Sequence, residues 1–384
     1  MNPLRESPNA LRVEAFSTAE ALDLAGANPT DQPLESRPEW FALLQEIVFA
    51  NDSGVRYLVA TDNGRTLAFL PIRIAKESGL RSVQALGNFY TARYAPWLDQ
   101  SAGTVALQRL LGHAVSDGGI TDTVRFSPLD PTSQLFDSLS RALSAMGWHP
   151  FPYFAFGNWY LKVEGSWNDY LNGRSVNLRT SIKRRTKQFS AMGGTLSLHT
   201  DLTDIDAATE AFQQVYAASW KEPEPFPRFV PSLIRMLAAS GELRLGIAWL
   251  EGKPIAAQFW YVTGKTASIY KVAYHEAFAG HSPGTVLTAF LLRHVIDEDK
   301  VAEVDFLIGD DDYKKKWMSH RRERWGIVAY NARTARGLGL LIREKLQRTV
   351  KALYARLWPV ADAYGHEVAR TSPATPQKTS ETTL

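Results

Sequence analysis

Residues 268–318 read SIYKVAYHEAFAGHSPGTVLTAFLLRHVIDEDKVAEVDFLIGDDDYKKKWM. The stretch parses as strand, loop, helix, strand, loop, helix. Residues 267–274 are rich in β-formers and predict a strand. Pro283 suits the first turn of a helix, where its missing N–H is no loss, and apolar residues at helical spacing then run to about Asp297. A strand at 303–307 and a short helix from Tyr313 complete the stretch. Ser282 reads as the N-cap of the first helix. Gly284, Thr285 and Val286 are then expected to offer unpaired backbone N–H groups at the positive end of the helix dipole, which suits a pyrophosphate. An ordinary capped helix would have the same sequence.

The same residues contain a decoy. Gly280, His281, Ser282, Pro283 and Gly284 spell G-x-S-x-G, the nucleophile elbow of serine hydrolases, and lie between strand and helix. That chemistry needs an oxyanion donor from the N–H after the nucleophile, and Pro283 has none. Asp305 or Asp310 followed by His320 would also crowd the triad into too short a chain.

Further along, Asp305, Gly309, Asp310, Asp311, Asp312, Tyr313, Lys314, Lys315, Lys316 and Trp317 form a dense polar run. Carboxylates ahead of a helix favour its N-terminus, which accounts for much of it. Metal ligation is not expected: consecutive Asp side chains diverge, and His275-Glu276 lacks the second His of H-E-x-x-H. Tyr313, at a helix start just past a strand end, could protonate a departing thiolate, although a core tyrosine is the commoner role.

Outward from this region, strands at 243–250 and 255–262 precede the 267–274 strand, with turns at Glu251-Gly252 and Gly264-Lys265. Helices are expected at 175–192, 207–220 and 230–240, and a strand at 325–330 leads into a long basic helix to Leu357. Residues 11–16 alternate well enough for one strand, and the first half then follows a similar order. A helix at 40–49 precedes strands at 56–61 and 66–75 joined by Asn63-Gly64, then a strand at 81–86; helices at 104–116 and 133–146 flank a strand at 123–126. One or two strands are expected in 148–163. VATDNGRTLAFLPI and AWLEGKPIAAQFWY share a strand, turn, strand pattern and hint at a duplicated unit. The fold class is therefore α/β (α+β), divided as an arm at 1–30, domains at 31–163 and 164–358, and a disordered tail at 359–384.

The 384 residues contain no cysteine, which excludes disulfides, thiolate zinc sites and a cysteine nucleophile. No signal-peptide pattern or run of about 18 apolar residues is present, so a cytoplasmic protein is expected. The overall charge of +3 hides a segregation: between Lys314 and Arg356, thirteen Lys and Arg face only Glu323 and Glu344. Such a surface favours phosphates, nucleic acid or anionic lipid. No nucleic-acid motif accompanies it, so nucleic acid is not expected. In the helix 338–357, apolar Leu341, Ile342, Leu346, Val350, Leu353 and Leu357 oppose Arg343, Lys345, Arg348 and Lys351. Such a stripe is what a docked helix needs, so packing on its own domain is the first expectation and an anionic membrane surface the second. Arg174, Arg179, Lys183, Arg184, Arg185 and Lys187 decorate another helix and read as a solvated face.

Taken together, several blocks resemble the GNAT-type acetyltransferases of the CelD/BcsL group, which are similar in architecture to the FemAB transferases. They are Ser219-Trp220-Lys221, Leu243-Arg244-Leu245 leading to Gly252-Lys253-Pro254-Ile255-Ala256-Ala257-Gln258, Lys271-Val272-Ala273-Tyr274-His275-Glu276-Ala277, Ser282-Pro283-Gly284, and Val304-Asp305-Phe306 with Gly309-Asp310 and Tyr313-Lys314-Lys315-Lys316-Trp317. The resemblance implies two tandem GNAT-like folds, each a mixed, mainly antiparallel sheet flanked by helices. It implies acetyl-CoA or another acyl-CoA as donor, an amine or hydroxyl acceptor, and a setting in exopolysaccharide or cellulose biosynthesis. Tyr313 then stands where many GNAT enzymes carry their general acid, with Asp305 and Asp310 as further catalytic candidates. Ser282, Pro283, Gly284, Thr285, Val286, Lys271 and Lys314 become the donor-binding candidates. The usual Q/R-x-x-G-x-G/A phosphate loop is replaced by FAGHSPGT. Two other outcomes fit the resemblance: an aminoacyl-tRNA donor, as in FemAB proteins, or a catalytically silent fold that binds a membrane synthase through 338–357.

Overall fold

The computed structural model describes residues 11–19, 32–99, 103–117 and 119–357. The expected arm lies outside these except for 11–19, and the expected tail lies outside them entirely. The described chain forms two compact units, one from 51–156 and 323–357 with residues 11–19, the other from 32–50 and 157–322.

In the first unit, β1 (Arg12–Phe16), β2 (Val55–Asp62), β3 (Arg65–Glu77) and β4 (Leu80–Ala85) pair antiparallel in that order. Asn63 and Gly64 both take positive φ (48° and 79°), the conformation that a tight two-residue hairpin turn requires. The helix α2 (Gly103–Ser116) then carries the chain back, so that β5 (Thr123–Leu129) runs parallel to β4. Ser133 caps α3 (Gln134–Ala145) by accepting the Phe136 N–H.

The second unit has the same plan. β8 (Leu243–Leu250), β9 (Lys253–Thr263) and β10 (Thr266–Tyr274) form an antiparallel meander, α8 (Pro283–Asp297) crosses back, and β11 (Glu303–Asp305) lies parallel to β10. β7 (Thr195–His199) extends the other edge against β8. The helices α4 (Trp167–Asn172), α5 (Val176–Ala191), α6 (Ile205–Ala217) and α7 (Phe229–Ala239) flank this sheet. α8 fits closely because Gly246 has no side chain: a Cβ there would lie 2.9 Å from Leu291. Leu287, Leu291, Leu292 and Val295 of α8 are fully buried with Trp260 and Val304.

Each meander is completed by a strand from elsewhere in the chain. β6 (His149–Lys162) pairs through Tyr160, Leu161 and Lys162 with β11, whereas β12 (His320–Tyr330) pairs through residues 325–330 with β5. Relative to a division at 163/164, α1 (Pro38–Ile47) goes with the second unit, and most of β12 with α10 (Ala335–Leu357) goes with the first. The first exchange follows from packing: Trp40 meets Phe229 edge-on at 5.7 Å, and Arg37 holds both Glu242 oxygens at 2.9 Å. Two elements, α4 and β7, are absent from the sequence expectations. The aromatic run 148–163 is one long strand.

The apolar stripe on α10 also departs from expectation. Of its described members only Leu341 is buried, while Ile342, Leu346, Val350 and Leu353 are exposed. The reason is polar: Glu344 and Arg348 occupy the inward face of the helix with Leu341.

Candidate active site

β10 and β11 stay together for only three residue pairs, Thr266 with Glu303, Ala267 with Val304 and Ser268 with Asp305. β10 then continues to Tyr274 on β9, and among the described residues no strand covers its other edge from 269 to 274. A register shift between Ile269 and Lys271 makes Tyr270 an extra residue there, which loosens the ladder and turns backbone groups out of it. An uncovered strand edge hydrogen-bonds readily to an extended ligand carrying amides.

Two helix starts border this edge in sequence. β10 leads through a single 3₁₀ segment, Glu276–His281, into α8. Ser282 adopts a left-handed conformation (φ 53°) and makes no side-chain cap. Its carbonyl instead accepts the Thr285 N–H at 3.0 Å and the Val286 N–H at 3.4 Å. Those two amides are therefore already engaged, contrary to the sequence expectation, and of the three only Gly284 stays outside that turn. The Gly284 carbonyl accepts from Gln258 and from Thr288, which ties the helix start to β9. His281 Nδ1, just ahead, is buried without a hydrogen-bond partner, an unsatisfied polar atom beside the helix start.

Beside this turn lies a feature that the solvated-face expectation for α5 missed. Arg185 donates to the Gly280 carbonyl at 2.8 Å, which sets α5 against the loop before α8. Between α4, α5 and α8 runs a cleft of about 880 Å³, with Ile182, Val286, Ala289 and Phe290 in its wall and Arg179, Lys183, Lys187 and Arg293 contributing charge. Only the i,i+4 spacing of the α5 cations hinted at it.

After β11 the chain turns through Leu307 (φ 53°) and Gly309 (φ 108°) into α9 (Asp312–Trp317). The turn is held by a buried polar knot. Asp305 accepts from Asn158 at 2.6 Å, from the Leu307 N–H at 2.7 Å, and from Arg322. Arg322 also donates to Asn158 at 2.6 Å and to Glu303 at 2.7 Å. Lys314, only 5% exposed, donates to the Ile308 carbonyl and pairs with Asp311 at 3.2 Å. Its charge closes its own loop, and burial lowers its pKa. Asp310 is gripped by Arg321 Nε at 3.0 Å and Nη2 at 2.7 Å, and this hydrogen bonding holds its carboxyl below the usual range.

Tyr313 is in a different position. It is 43% exposed and packs edge-on against Phe306 at 5.7 Å; partial desolvation of the side that meets the protein, followed by Asp311, pushes its pKa up to about 12. A second group of side chains gathers around Lys271. Lys271 pairs with Glu224 at 2.5 Å and lies 5.8 Å above the Tyr216 ring. Lys221 sits 5.9 Å above Tyr216 and 5.6 Å above Trp220, whose ring packs on Tyr274 at 4.6 Å. Burial, then the neighbouring Lys271, lowers the Lys221 pKa. Lys221 had entered only through the Ser-Trp-Lys block, and Glu224 and Tyr216 carried no sequence signal.

Residues 176–315 match the acetyltransferase (GNAT) domain family. This segment covers the α5 and α8 walls of the cleft but not α4, and it includes the uncovered edge of β10, both helix starts and Tyr313. No curated protein matches the chain. Among solved structures, the chain is similar to FemX, with a TM-score of 0.56 at 10% identity, covering 78% of this chain and 92% of that one. Other similar structures are the L-PGS of Bacillus licheniformis (TM-score 0.48, 13% identity, 82% and 98% covered) and a tandem GNAT protein from the clavulanic acid biosynthesis pathway (0.40, 13%, 83% and 98%). At 10% identity the likeness to FemX is one of fold. It agrees with a mixed α/β chain of GNAT-like architecture.

Proposed function

We propose that the chain is an acyl-CoA-dependent N- or O-acyltransferase, an acetyltransferase in the first instance, serving polysaccharide or cell-envelope synthesis from the cytoplasmic periphery of the membrane. The parting of β10 and β11 carries this reading. It leaves an uncovered strand edge, matched to the amide-bearing arm of CoA, with Tyr313 following the end of β11. The pyrophosphate belongs at Gly284 and His281, with Lys183 and Lys187 of the cleft supplying charge.

In the reaction, the acceptor nitrogen or oxygen attacks the thioester carbonyl. Backbone N–H groups at the Tyr270 bulge stabilise the oxyanion, the carbon–sulfur bond breaks, and Tyr313 protonates the leaving thiolate. Lys221 is our choice for the group that takes the acceptor's proton, since burial beside Lys271 favours its neutral form. Asp305 and Lys314 act by holding the loop, and Asp310, paired with Arg321, is a poor base.

The donor is tested by thermal shift with CoA and acetyl-CoA. A ligand at about 100 times its Kd stabilises the native state by about 2.7 kcal/mol. Lys183→Glu with Lys187→Glu should weaken that binding about tenfold or more at low salt. No shift with any acyl-CoA would overturn the reading. The likeness of fold to FemX supports a second reading, an aminoacyl-tRNA donor; tRNA binding with a steep salt dependence, without CoA binding, would establish it instead.

A further inference from the structure

The long helix α10 docks through a narrow seam. Leu341 is buried against Val328 and Tyr330, with Phe151 and Tyr153 alongside. At its start the helix folds tightly on the turn that leads into it, where a Cβ at Gly337 would lie 2.2 Å from the Asn331 carbonyl oxygen. Glu344 accepts from the Tyr330 hydroxyl at 3.2 Å and from Arg348 at 2.7 Å; Arg348 also donates to the Pro152 carbonyl at 2.9 Å and lies 5.0 Å over Phe151. These contacts fix the roll of the helix about its axis.

With that roll, the aliphatic face points away from the fold. Leu338 is 43% exposed, Ile342 50%, Leu346 60%, Val350 61% and Leu353 52%. Their spacing of four, four, four and three residues keeps them on one arc of a 3.6-residue helix about three turns or more long. Arg343 and Lys345 are exposed and fall on opposite flanks of that arc. An ordinary surface helix has the reverse arrangement, apolar inward and charged outward. Lone exposed leucines need no explanation, but a continuous aliphatic stripe on a helix whose inner face is already satisfied does.

We infer that α10 lies on the surface of an anionic bilayer, with Leu338, Ile342, Leu346, Val350 and Leu353 dipping into the acyl boundary and Arg343 and Lys345 at the headgroup phosphates. The chemistry matches on both counts: an aliphatic face with cationic flanks gains from apolar burial and from anionic lipid together. A second copy of the chain fits less well, because like-charged flanks would meet across a two-fold contact. No helix among the described residues is long and apolar enough to cross a membrane, so the attachment is peripheral. The inference rests on the peripheral placement proposed above and not on the chemistry at Tyr313.

The test is sedimentation of the full chain with vesicles of phosphatidylcholine alone and of phosphatidylcholine with phosphatidylglycerol. The chain should pellet with the anionic vesicles, stay in solution with the neutral ones, and be released by salt. Leu346→Glu with Val350→Glu alters exposed positions only and should leave the melting temperature in place while lowering vesicle binding about tenfold or more. Arg343→Glu with Lys345→Glu should lower it about thirtyfold or more. Binding that ignores lipid charge, binding unchanged in both double variants, or a concentration-dependent dimer abolished by Leu346→Glu would each overturn the inference. Because the variants keep the acyl-CoA thermal shift if the donor reading is right, a failure here is separable from a failure there.

Discussion

Tyr313→Phe should lower kcat about 100-fold while leaving the Kd for acetyl-CoA within about twofold. The variant removes one oxygen from a ring whose edge rests on Phe306 and which is already 43% exposed, so the fold has no reason to change. The size of the effect follows from the leaving group. A thiol with a pKa of about 8.5 departs as a tolerable anion, so protonation helps less than it would for an alkoxide, and the loss falls at the lower end of the range for general acids. The hydroxyl stays protonated and so available as a donor, although its raised pKa makes it a weaker acid than the thiol it serves, which again keeps the expected loss modest. Partial desolvation and Asp311 raise its pKa to about 12, which keeps it protonated at every working pH. The alkaline fall of kcat should therefore lie above the ordinary tyrosine value of about 10. The acid-side limb should come from Lys221: as pH rises through its lowered pKa the neutral amine appears and the rate climbs. Lys221→Met should flatten that limb and leave the donor affinity unchanged. A Tyr313→Phe enzyme with wild-type turnover would remove the tyrosine from the reaction, and a Lys221→Met enzyme with an unaltered pH profile would remove the lysine.

What could be read beforehand was mostly local. Turn chemistry at Asn63-Gly64 and Glu251-Gly252 located both hairpins, because positive φ there is a property of a few adjacent residues. Pro283 located the start of α8 for a similar reason. Short elements escaped: α4 has six residues and β7 five, too few for a period to stand out. Partnerships across long sequence distances escaped as well. Nothing near Asp305 announces that Asn158 and Arg322 will surround it, and nothing near Lys271 announces Glu224. The stripe on α10 was visible, but its direction was not. An apolar face is assumed to turn inward until Glu344 and Arg348 are seen to occupy that side. The same blindness applied to α5, whose cations border a cleft formed with α8 more than a hundred residues later.

The largest loss of stability should come from Asp305→Ala, about 3–5 kcal/mol measured as a fall in the urea midpoint at constant slope. Asp305 is 5% exposed and Asn158 1%, so neither can replace a lost partner with water. Removing the carboxylate leaves Arg322 with Glu303 as its one remaining carboxylate partner beside the Asn158 carbonyl oxygen, leaves the Asn158 amide group one acceptor short, and frees the Leu307 N–H from the oxygen that sets the turn into α9. Asp305→Asn keeps the shape and one carbonyl acceptor, and should cost about half as much. These two variants also decide what kind of residue Asp305 is. As a positioning residue it fixes the loop that carries Tyr313, so Asp305→Asn should lower kcat without moving either limb of the pH profile. As a base it would take the acid-side limb with it when replaced, with little loss of stability. Asn158, the Leu307 amide and Arg322 take three of its roughly four lone-pair sites, and at 5% exposure the carboxylate is turned away from an incoming acceptor, so the first outcome is expected. Lys314 offers the matching control: Lys314→Met should also destabilise the fold, because the Ile308 carbonyl and Asp311 lose their shared donor, yet it should leave the affinity for acetyl-CoA within about twofold. A large rise in that Kd would return Lys314 to the donor site.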